Sequence, residues 1–116
     1  MLLRGSGQHT GDDYDLRAML GEGDGGVPQG RLLTFYAEAV LGDDDAALDA
    51  VRQELRQTLG DEALVDTAGV VATFNSIDRA ADATGIPLED QKAEVTADFR
   101  ADLGLNDYTY REGAAE

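Results

Sequence analysis

The sequence predicts an all-α fold, a small antiparallel helical bundle of about four helices. Apolar residues recur at helical spacing through most of residues 31–103, and a glycine or an aspartate stands wherever the pattern stops. No stretch shows the period-two alternation of a half-buried strand, and the gaps between patterns are short, which favours antiparallel neighbours.

Residues 1–30 hold more than half of the fourteen glycines, together with Pro28, and their one apolar patch is Leu16, Met19 and Leu20. They read as a flexible, Gly-rich lead-in with room for one helical turn, and Gly21 to Gly26 as a linker. From Arg31 the character changes. Leu32, Leu33, Phe35, Tyr36, Ala39 and Val40 predict a first helix over about 29–41, stopped by Gly42. Asp43, Asp44 and Asp45 then cap a second helix, whose stripe Leu48, Val51, Leu55 and Leu59 advances by steps of three, four and four until Gly60.

Asp61 is placed to cap a third helix over about 62–84. Its apolar residues, from Leu64 and Val65 through Val70, Val71 and Phe74 to Ile77, cover more than one face, as in a core helix or a subunit interface. Gly85 ends it and Ile86-Pro87 forbids its continuation. A last helix over about 90–103 carries Val95, Phe99 and Leu103 at steps of four before Gly104. The expected organisation is therefore a Gly-rich segment (1–30), a helical domain (31–105) and a frayed acidic tail (106–116).

The chain has no cysteine and a formal charge of -15, which disfavours phosphate backbones and anionic lipid as partners, so neither nucleic acid nor a membrane is expected. No apolar run approaches the length of a membrane span, and Met1 to Gly7 is too short in apolar residues for a secretory signal; the expected location is cytoplasmic. Lys92 is the one lysine, and aspartate outnumbers glutamate two to one. Such a surface suits a high-salt cytoplasm, where screening tolerates self-repulsion, and is equally what a GC-rich genome encodes.

The segment Leu64 to Leu88 contains Phe74, Asn75, Arg79, Ala81, Asp82 and Gly85 in the order F-N-x-x-x-R-x-A-D-x-x-G. It resembles the C-terminal helix of the AhpD-like, or carboxymuconolactone decarboxylase-like, superfamily. Leu32-Leu33-Thr34-Phe35-Tyr36-Ala37-Glu38 is similar to that family's L-L-x-F-A-E helix, and the end of the second helix with Asp61-Glu62 is similar to its L-R-x-x-x-x-S-D-E-E step. The resemblance covers about residues 16–105 and implies an AhpD-like half-bundle. In the family a preceding helix carries a C-x-x-C motif with nearby glutamate and histidine, a thiolate relay that reduces peroxides. Aligned on these motifs, the chain begins after the place of that helix; a catalytic half upstream is the alternative to its loss. Without a thiolate, peroxide reduction of the family type is excluded for these residues alone.

Asn75 and Arg79 lie four apart on one helix face and are the candidate ligand-binding pair, a fork of donors for a carboxylate. Against this stands a structural role, with Arg79 paired to Asp82, Asp78 or an acid on the second helix. His9 with Asp12, Asp13 and Asp15 offers metal-ligand types, but the spacing fits no standard site and nothing preorganises it. Asp43 to Asp45 lacks the sixth-position glycine of an EF-hand loop and reads as a cap. Gly21 to Gly26 lacks the lysine and the preceding strand of a phosphate loop. No catalytic residue, metal or cofactor is assigned.

The expected function is non-catalytic. It is a degenerate or truncated AhpD-like domain acting by self-association into a homo-oligomer, or by association with a thiol-bearing relative. The interface would use Phe35, Tyr36, Val71, Phe74 and Ile77. The alternative is a binder of small anionic molecules, or a non-thiol enzyme, that keeps the family pocket.

Overall fold

The computed structural model describes residues 10, 11 and 13–107, and among them every regular element is helical. A short 3₁₀ helix (Leu16–Leu20) precedes three long helices: α1 (Gly30–Leu41), α2 (Asp45–Leu59) and α3 (Asp61–Thr84). Two one-and-a-half-turn helices follow, α4 (Asp90–Val95) and α5 (Ala97–Asp102), and then a 3₁₀ turn (Leu105–Asp107). No helix among the described residues is long and apolar enough to cross a membrane.

Local chemistry sets the boundaries. Of the three successive aspartates, Asp44 caps α2: its Oδ1 accepts from the backbone N–H of Ala46 and of Ala47, both at 3.0 Å. That satisfies two of the donors that the first helical turn leaves without partners. Gly60 closes α2 by donating to the carbonyl of Arg56, and it also stands at the N-cap position of α3, so Asp61 is the first residue of α3 rather than its cap. The Asp61 carboxylate instead accepts from Arg56 Nε at 2.6 Å, and this bond holds its carboxyl below the ordinary carboxylate range. Gly85 ends α3 with φ 65, its N–H on the Asp82 carbonyl and that of Ile86 on the Ala81 carbonyl. That pairing needs a left-handed residue, which glycine supplies without strain.

The expected fourth helix is broken. At Thr96 (φ -111, ψ 0) the chain turns between α4 and α5. The Thr96 hydroxyl donates to the Lys92 carbonyl at 2.6 Å and accepts from Arg100 Nε at 3.0 Å, while Arg100 Nη2 reaches back to the Ala93 carbonyl at 2.7 Å. A threonine hydroxyl bonded to the carbonyl four residues back bends a helix, and here a side chain completes the break.

The lead-in has defined turns over 13–29. The N–H of Asp15 donates to the Gly25 carbonyl at 3.1 Å, and Asp15 Oδ1 accepts from Arg17 N at 3.0 Å. Gly30, the first residue of α1, lies so near Asp24 that a Cβ there would stand 1.9 Å from the Asp24 carbonyl oxygen. The glycine content of the segment thus has a packing reason at its junction with α1, whereas composition alone reads as a linker.

The core sits where α1, α2 and α3 meet. Leu32, Tyr36, Val51 and Leu55 are buried together, and Leu33, Ala39, Leu48, Leu64, Ala68 and Val71 pack around them. Helix α3 supplies only this outer layer; none of its own residues is buried. Leu103, after α5, is buried separately, near the N-terminal 3₁₀ helix, where Arg17 Nη2 donates to Asp102 Oδ2 at 3.5 Å.

Candidate functional site

The sequence-derived interface residues divide between inside and outside. Tyr36, 5% exposed, is part of the core, and Val71 packs half-buried against it, so both are engaged within the chain. Phe35, Phe74 and Ile77 face outward. On α3 the residues directed at the core are Leu64, Ala68 and Val71, at steps of four and three. Val70, Phe74 and Ile77 follow the same steps on another side and are 57%, 58% and 58% exposed. Three large apolar side chains with this spacing line up as one continuous stripe.

Asn75 and Arg79 are brought together as their spacing requires. Arg79 Nε donates to Asn75 Oδ1 at 3.1 Å on the surface of α3, Asn75 being half-buried. Among the described residues Arg79 is thus satisfied by its own helix rather than by Asp78, Asp82 or an acid of α2. The bond occupies the amide oxygen of Asn75 and fixes the guanidinium along the helix surface.

His9 and Asp12 lie outside the described residues. Asp15 is engaged as the cap of the 3₁₀ helix, and no three histidine or acidic side chains among the described residues are grouped to hold a metal ion. An open cleft of about 500 Å³ lies between the 3₁₀ helix and α5, lined by Asp13, Asp15, Asp98 and Asp102 around Leu16, Arg17 and Phe99. It is strongly acidic, with the guanidinium of Arg17 already on Asp102.

A second groove, of about 480 Å³, follows the seam between α1 and α2. Phe35, Ala39, Ala47, Ala50 and Val51 form its floor, and Glu38, Asp43, Asp44 and Glu54 its rim. The small side chains create it: alanines at 39, 47 and 50 leave the two helices without large groups beside the core. Helical periodicity draws attention to Leu48, Val51 and Leu55. The groove corresponds to a fainter pattern alongside, Ala47, Ala50 and Glu54 on α2 with Phe35, Glu38 and Ala39 on α1 and Gly42 just after it, at steps of three and four.

No protein-family model, curated protein or solved structure matches this chain. The functional reading therefore stands on the surfaces themselves.

Proposed function

We propose that this chain is a non-catalytic association domain, a degenerate AhpD-like unit that pairs with a second copy of itself through the outer face of α3. The reading rests on the stripe of Val70, Phe74 and Ile77, more than half exposed on a helix whose other apolar side is already packed. Burying apolar surface stabilises by about 25 cal/mol per Å², and a lone stripe on a long helix is best covered by another helix. Two copies related by a two-fold axis would each present the same patch, so every apolar contact is made twice.

The charge of -15 opposes this pairing at long range. Salt screens that repulsion within about 10 Å at 0.1 M, so association should strengthen as ionic strength rises. A thiol-bearing relative is the other candidate occupant of the same face.

Sedimentation velocity on the full chain, over a range of concentration and salt, tests the proposal. A dimer that grows with concentration and salt, and that Phe74→Ser/Ile77→Ser converts to monomer with unchanged helix content, is expected. A wild-type chain that stays monomeric at every condition would overturn self-association, as would a dimer indifferent to both substitutions.

A further inference from the structure

The groove between α1 and α2 is separate from the α3 stripe: none of the residues lining it belongs to α3. We propose that it receives a short basic amphipathic helix of a partner protein.

Three observations select that occupant. The floor of Phe35, Ala39, Ala47, Ala50 and Val51 is apolar, and Phe35 remains 40% exposed there. The rim carries four carboxylates and no basic side chain. Asp44 is partly committed to capping α2, but Glu38, Asp43 and Glu54 enter none of the ion pairs among the described residues. At the Phe35 end, moreover, the chain already places a cation on the aromatic ring, the Arg31 guanidinium lying 5.1 Å from its centroid. That face of the ring is therefore already taken, and the partner's cations belong over the carboxylates instead.

A second copy of the chain does not fit these requirements. It carries the same charge of -15, and its nine basic residues are spread singly along the sequence rather than clustered. An acidic helix would be repelled by the rim, and a purely apolar one would leave the carboxylates without partners. Along α1 and its C-terminal cap the lining runs from Phe35 to Gly42, about 10 Å at 1.5 Å per residue, which matches roughly two turns of a partner. The occupant is thus a helix with one or two small apolar anchors on its inner side, flanked by lysine or arginine. Apolar contact supplies most of the affinity, while the rim contributes orientation and association rate.

Fluorescence anisotropy of a labelled leucine-lysine amphipathic peptide, titrated with the full chain, provides the test. A scrambled peptide of the same composition serves as the control. The amphipathic peptide should bind and its scrambled form should bind far more weakly. Ala50→Lys, which fills the floor and adds a positive charge, should abolish binding. Glu38→Gln/Glu54→Gln, both surface changes, should weaken it about tenfold. Val70→Ser on α3 should leave it unchanged. Equal binding of the two peptides would overturn the proposal by showing a diffuse polyanion effect. No binding at all would also overturn it, as would binding that survives Ala50→Lys or is lost with Val70→Ser.

Discussion

Replacing Leu55 with alanine separates the core from the faces around it. Leu55 is 0% exposed, enclosed with Leu32, Tyr36 and Val51 and covered by Leu64, Ala68 and Val71 of α3. The substitution removes roughly three methylene equivalents at about 0.8 kcal/mol each, near 2.4 kcal/mol of transfer free energy. A cavity adds to this, because contacts from three helices let the site collapse only in part, and the total expected is about 3 kcal/mol. Small domains are stable by only about 5–15 kcal/mol, so the loss is large. Urea unfolding followed by far-ultraviolet circular dichroism, at concentrations below association, should show a lower midpoint with an unchanged slope. Phe74→Ala in the same assay removes a larger side chain that is 58% exposed, and should cost under about 0.5 kcal/mol. A loss below about 1 kcal/mol for Leu55→Ala, or a larger loss for Phe74→Ala, would refute this assignment of inside and outside.

Glycine substitutions should separate by surroundings. Gly30→Ala sets a Cβ against the Asp24 carbonyl oxygen and should cost about 1–3 kcal/mol, whereas Gly69→Ala, inside α3 with nothing within 4 Å, should raise stability by up to about 1 kcal/mol; thermal melts that rank the two oppositely would contradict the packing described. Asp44→Ala should cost about 1 kcal/mol and Asp43→Ala much less, since only Asp44 bonds the first turn of α2; equal losses in urea titrations would assign the cap wrongly. The Arg56 guanidinium, by hydrogen bond and then by charge, holds the Asp61 carboxyl below its ordinary value. A carboxyl depressed on folding contributes stability that is present above its unfolded value and lost as pH falls through the folded one. Wild type should therefore exceed Asp61→Asn at neutral pH, with the gap closing on acidification and with added salt; a gap independent of pH would remove the pair as its cause.

Much of the architecture is written in local sequence. The helix class, the three long helices and their ends at Gly42, Gly60 and Gly85 follow from spacing and stop signals, because periodicity and capping act within a few residues of one another. The run of three aspartates announces a cap, but the backbone entering α2 decides that Asp44 provides it. Asp61 shows the same limit: its type suits a cap, while Arg56, brought within reach on the preceding turn, takes its carboxylate instead. Thr96 breaks what Val95, Phe99 and Leu103 read as one helix, because its hydroxyl and the side chain of Arg100 bond the backbone in a way that an apolar pattern does not record.

Which faces are buried is a separate question, and sequence alone leaves it open. Phe35 and Tyr36 are adjacent and both apolar enough for a core, yet only Tyr36 is buried in it, while Phe35 stays at the open groove beside α2. Helix α3 has more apolar surface than one neighbouring seam can cover, and Leu64, Ala68 and Val71 turn inward while Val70, Phe74 and Ile77 stay out. The groove over Ala47 and Ala50 exists only because α1 lies across from them. The sequence by itself determined the three long helices and their stops at Gly42, Gly60 and Gly85, since those signals are local. Only the tertiary structure decided which apolar stripe is core and which stays exposed, since burial depends on residues distant in the chain that packing brings together.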